Sequence, residues 1–140
     1  EKGLLLLFLS TYGPADHLYA ERLNAIHRAA ANAGISTLGL FSGKAETKQT
    51  VVRFSTLMSL EFPCALDSGN AYADAFRATR TPEAFLLDTK KRVVYTGAID
   101  TSTFGGASDK PYLMNAVLAL GAGGRIAVQT TRVFGTPIDR

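Results

Sequence analysis

The run GLLLLFL, Gly3 to Leu9, passes directly into STYGPADH, Ser10 to His17. An apolar run of this length without alternation marks a strand covered on both faces, so the chain must supply a layer on each side of it. The run is far short of the roughly 20 residues that cross a bilayer, and no membrane span is expected. A polar turn follows, and then an amphipathic stretch with Pro14 at its first position and Asp16 in its first turn, both helix-start signals. The first turn of such a helix offers unpaired N–H groups and a positive dipole end, which stabilise a thiolate, a phosphate or an oxyanion. No cysteine and no phosphate-loop lysine stands there. The setting for a reactive group is present and the group is missing.

Further along, Leu18, Leu23, Ile26, Ala30 and Ala33 recur on one face at helical spacing, and Gly34 is the stop. Ile35 to Phe41 reads as a second strand, Ala45 to Ser59 as a helix, Phe62 to Leu66 as a short strand and Ala71 to Phe76 as a short helix. Glu83 to Leu87 and Val93 to Thr96 are strands of a hairpin turning at Asp88-Thr89-Lys90-Lys91-Arg92. Pro111 to Leu120 is the last helix. Gly121 to Gly124 ends it and follows a helix, so it is no dinucleotide fingerprint, which follows a strand. This order implies an α/β chain with a mixed central sheet and helices on both faces, and the thioredoxin fold matches it best. One domain, residues 1–124, is expected, with an extended tail, 125–140, packed on it or on a neighbour.

Composition narrows the function classes. The 140 residues are 46% hydrophobic and 19% charged, which excludes disordered and collagen-like chains. The net charge of +3 is scattered, and Lys90-Lys91-Arg92 belongs to a turn, so no nucleic-acid partner is expected. Cys64 is the single cysteine, which rules out an internal disulfide and a cysteine metal cage. His17 and His27 share a helix but stand roughly 80° apart around its axis and about three turns apart along it, too far to share a metal. No metal or cofactor is expected. The chain opens on a core strand without methionine, as a segment of a longer or processed protein would.

Four stretches carry a resemblance. They are STYGPADHLYAERL (Ser10 to Leu23), ATRTPEAFLLD (Ala78 to Asp88), RVVYTGAID (Arg92 to Asp100) and TTRVFGTPIDR (Thr130 to Arg140). Together they resemble the redoxin branch of the alkyl hydroperoxide reductase and thiol-specific antioxidant superfamily, which has the thioredoxin-like fold and a thiol-disulfide oxidoreductase or peroxidase activity. The resemblance places a helix-start cysteine at Gly13, a tail cysteine at Thr136 and a cis-proline loop at Thr81-Pro82. It lacks the family's usual N-terminal hairpin region. Neither Gly13 nor Thr136 can form a thiolate, so both the attacking and the resolving thiol are absent. Asp16, beside Gly13, would raise the pKa of a thiol placed there, and its simplest role is to satisfy the helix N-terminus.

Cys64, in a strand after Phe62-Pro63, reads as a small buried hydrophobe, with a reactive thiol as the functional alternative. The family places Arg80, Thr81 and Pro82 opposite Thr11, Tyr12, Gly13 and Pro14. The hydroxyls of Ser10, Thr11, Tyr12 and Thr81 would then line a groove for an anion or an extended peptide. The structural reading of Pro82 is that it only shapes the entry to the hairpin. The reading is a redox-inactive domain acting as a structural or protein-interaction module, with a protein partner or neighbouring domain. The alternative is an oxidoreductase using Cys64 or a cysteine outside these residues.

Overall fold

Gly3–Leu9 forms β1, and its neighbours follow from its pattern. The computed structural model describes residues 2–101 and 110–140. After β1 come α1 (Pro14–Asn32), β2 (Ile35–Phe41), α2 (Lys48–Leu57), β3 (Cys64–Leu66), α3 (Ala71–Phe76), β4 (Arg80–Thr81), β5 (Glu83–Leu87), β6 (Val93–Gly97), α4 (Tyr112–Gly121) and β7 (Thr136–Pro137). The main sheet runs β3-β2-β1-β5-β6, with β1 parallel to β2 and antiparallel to β5.

Alternate side chains of β1 serve different cores. Leu5, Leu7 and Leu9 pack in one with Leu23 and Ile26 of α1, Val51 and Phe54 of α2, and Leu113 and Val117 of α4. Leu6 and Phe8 pack in the other with Leu40, Phe85, Ala73 and the tail residue Ile138. Among the described residues the two faces are therefore covered unequally, by three helices on one side and by the six-residue α3 and a piece of tail on the other.

Three details differ from the sequence expectation. Leu18 is 58% exposed, because the buried stripe of α1 is Tyr19, Ala20, Leu23, Ile26 and Ala30. Tyr19 turns that stripe: its hydroxyl donates to Asp100 at 3.1 Å, and Arg22 pairs with the same carboxylate, also at 3.1 Å. Next, α2 begins at Lys48 rather than Ala45, where Thr47 and Thr50 close a reciprocal capping box. It ends at Leu57, two residues before Ser59 takes the left-handed φ of 52°. Finally, β4 and β7 are short strands that no periodicity announces.

The tail covers an edge. The outer side of β6 would expose unpaired backbone groups. Thr96 N–H donates to the Gln129 carbonyl at 3.0 Å and Thr131 N–H to the Thr96 carbonyl at 3.1 Å. Thr131 Oγ1 also accepts from Ala98 N–H at 2.8 Å and bonds the Tyr95 hydroxyl at 2.7 Å. Ile126 is buried in the first core, whereas Val128 is 42% exposed. Among the described residues no helix is long and apolar enough to cross a membrane.

Candidate functional site

Three chain segments meet where β1 gives way to α1. Ser10 to Gly13 make the turn, and Gly13 is the N-cap, with no side chain capping the helix. β4 lies beside it, leading into the Thr81–Pro82 peptide, which is cis. β7 arrives from the tail and pairs antiparallel with β4, Thr81 opposite Thr136 and Arg80 opposite Pro137. A Cβ built on Gly13 would lie 2.8 Å from Thr136 Oγ1 and 3.2 Å from Thr136 Cβ, and it would overlap Asp16 Oδ1. The two positions that the resemblance assigns to cysteines are thus in contact, though more than a hundred residues separate them. Gly135 is constrained in the same way, since a Cβ there would overlap the Thr81 carbonyl.

Asp16, in the first turn of α1, also holds this junction together. It is 1% exposed, Oδ2 accepts from Ser10 N–H at 2.9 Å, and Oδ1 accepts from the Thr81 hydroxyl at 3.0 Å. Burial pushes its pKa up to about 7, the hydrogen bonds from Ser10 and Thr81 offset only part of that, and Glu46 adds to the rise. Glu46 is itself buried and accepts from Thr11 N–H and the Thr11 hydroxyl, both at 2.8 Å, and from the Thr50 hydroxyl at 3.1 Å. Two carboxyl groups in one buried pocket disfavour a thiolate or any bound anion.

The other expected groove residues are largely engaged within the chain. The Tyr12 hydroxyl donates to the Ala45 carbonyl at 3.1 Å, although the side chain is 60% exposed, and Ser10 Oγ accepts from Tyr12 N–H at 3.1 Å. Pro14 occupies the first turn of α1. Arg80 is exposed and donates to the Gly135 carbonyl at 3.0 Å; Pro82 is buried. Glu83, raised above the usual carboxylate range by burial, accepts from Thr79 N–H at 2.9 Å. The expected groove between Tyr12–Pro14 and Arg80–Pro82 is therefore occupied on its β4 side by the chain's own residues 135–138. Sequence reasoning missed Glu46, whose only signal is its place just before the Thr47 cap.

Cys64 sits in β3, partly buried, and its thiol donates to the Phe62 carbonyl at 3.6 Å. Burial raises its pKa to about 11. At pH 8 its thiolate fraction is about a hundred-fold below that of a cysteine at its ordinary value of 9.0. Alkylation by iodoacetamide at pH 8 should accordingly run about a hundred-fold slower in the folded protein than in urea. Equal rates would restore Cys64 as a nucleophile. The two histidines lie apart, His17 edge-on to Phe54 at 4.9 Å and His27 against Phe62 at 5.7 Å. Among the described residues no group of three His, Cys, Asp or Glu is placed to hold a metal.

No protein-family model matches the sequence, and neither does any curated protein. Solved structures do match. A hypothetical protein from Sinorhizobium meliloti 1021 is 28% identical, with a TM-score of 0.88 over 97% of this chain and 78% of that one. An uncharacterized conserved protein from Geobacillus kaustophilus is 19% identical, with a TM-score of 0.90 over 99% of this chain and 77% of that one. A peroxiredoxin Q from Xanthomonas campestris is 20% identical, with a TM-score of 0.55 over 67% of this chain and 66% of that one. The chain has a thioredoxin-like fold, the fold that the resemblance drawn from the sequence implies.

Proposed function

We infer that this thioredoxin-like domain is redox-inactive and serves as a structural or protein-interaction module of a larger protein or complex. One observation carries the reading: where Gly13 and Thr136 meet, the Asp16 carboxyl fills the space a side chain at Gly13 would need. A thiol-based mechanism requires an accessible thiolate at a helix start, and a resolving partner where a disulfide is formed. Here a glycine, a threonine and a protonatable acid stand instead. Cys64, the only thiol, has its pKa raised by burial rather than lowered.

Exposed Tyr12 and Leu57, with Arg53 and His17, border a shallow cleft of about 190 Å³ next to this junction. Its apolar and basic lining supports contact with a protein surface rather than with a small redox substrate.

The test is peroxide consumption and thiol-disulfide turnover by the protein beside Cys64→Ser. Neither protein should exceed the uncatalysed rate. Turnover that disappears in Cys64→Ser would assign the chemistry to Cys64 and end the inactive reading.

A further inference from the structure

We propose that the groove between α4 and the tail is a docking site for an acidic segment of a partner protein, one with an apolar side chain between carboxylates. This deepens the interaction-module reading and rests on it.

The groove has two compartments, of about 680 and 290 Å³, which share Tyr112, Asn115 and Val128. Cations stand on both sides of that shared middle. Arg125 lines the smaller compartment, and Lys110 and Arg132 line the larger. All three are exposed, and among the described residues none is paired with an acid. Elsewhere Arg22, Arg28, Lys44, Arg92 and Arg140 each have a carboxylate partner within the chain. The acid on the groove wall, Asp100, is buried and already engaged by the Tyr19 hydroxyl and Arg22. Among the described residues the groove therefore carries positive charge that the chain itself leaves unanswered.

Between the cations the lining is apolar. Val128 in the middle and Phe134 beyond it are 42% and 45% exposed. The Arg132 guanidinium lies over the Phe134 ring, 5.1 Å from its centroid, which holds it ready for a carboxylate. The tail wall is also fixed before any partner arrives. Ile126 is buried in the first core, and Gln129 and Thr131 are hydrogen-bonded to Thr96, so docking does not have to order this wall.

This charge pattern selects among occupants. A second copy of the chain brings a net charge of +3 and the same cationic groove, so like charges would face each other. A small acid in one compartment would leave the cation of the other unmet. Three cations are few for a nucleic acid, whose binding typically draws on about 6–10 phosphate contacts. An acidic protein segment meets both ends and covers the apolar middle.

The experiment uses the full chain and a fluorescein-labelled peptide of two glutamates, phenylalanine, leucine and two glutamates. Arg125→Gln and Arg132→Gln should each weaken its binding about two- to five-fold, and the double variant about ten-fold. Arg28→Gln, whose cation serves Glu61 instead, should bind like the parent. Raising salt from about 50 to about 500 mM should weaken the parent and barely affect the double variant. A peptide with glutamines for its glutamates should bind the parent no better than the double variant binds the acidic one. Equal binding of the glutamine peptide overturns the proposal, as does a double variant with its far-UV spectrum intact and its affinity unchanged. Tighter binding of an oligothymidylate with four phosphates overturns it too and makes the groove a nucleic-acid site. These results are read without any thiol chemistry, so they can fail while the inactive reading stands, and thiol turnover can defeat that reading while the groove still binds.

Discussion

Asp16→Asn raises stability at pH 8 by about 3–4 kcal/mol and changes it little at pH 4. The folded protein holds a proton on Asp16 up to about pH 7, whereas the unfolded chain releases it near 3.8. Between those values the folded state binds more protons than the unfolded state, so stability falls as pH rises and levels off above 7. The carboxyl is almost fully buried, so solvent screening does not reduce the effect. Asparagine has no charge to lose and fits the same partners. Its carbonyl oxygen accepts from Ser10 N–H, and its amide donates to Thr81 Oγ1, which then accepts instead of donating. Thermal unfolding of both proteins from pH 4 to 8 is the check. The midpoints should separate by roughly 10 °C at pH 8 and converge at pH 4. Parallel curves would mean that Asp16 stays ionised in the fold and that burial does not hold a proton on it.

Asp16 also shows where the sequence stopped being legible. An acid in the first turn of a helix normally faces solvent, and nothing local indicates that Thr81 and Thr136 will close over this one. Local patterns served well elsewhere. The uninterrupted leucines of β1 announced a central strand, Gly34 ended α1, and the hairpin turn stood out as the polar run Asp88 to Arg92 between two strand-like stretches, where Asp88 accepts from Lys90 N–H and Arg92 N–H. Leu18 failed because a hydropathy wheel gives Tyr19 too little weight, although its ring is buried and its hydroxyl finds Asp100. The β4–β7 pair had no signal of its own, since two-residue strands carry no period. What pointed there was the resemblance, which named Gly13 and Thr136 together without saying that they touch.

That contact predicts a second large effect. Gly13→Cys/Thr136→Cys should close a disulfide on oxidation, and the oxidised protein should be more stable than its own reduced form by about 4 kcal/mol, the scale for a loop of roughly a hundred residues. The Cβ separation of 3.2 Å is slightly below the usual ~3.5–4.5 Å, so β7, held by two residue pairs, must move outward by a few tenths of an ångström. Gly13→Cys alone should be destabilised by about 2–3 kcal/mol, because its Cβ displaces Asp16 Oδ1 and leaves the Thr81 hydroxyl or Ser10 N–H unpaired. Comparing oxidised with reduced forms of one variant cancels that cost and isolates the crosslink. Thiol titration and denaturant unfolding with and without dithiothreitol give both quantities. Three free thiols, Cys64 included, in the oxidised protein titrated after unfolding would show that Gly13 and Thr136 do not meet, and the placement of the two cysteine positions would fail with them. If the disulfide forms, peroxide turnover should still stay low above pH 7, where the Asp16 carboxylate opposes a thiolate at Gly13. Two thiols placed at these positions would then form the bond without conferring turnover, which is what a junction built around a buried acid should do.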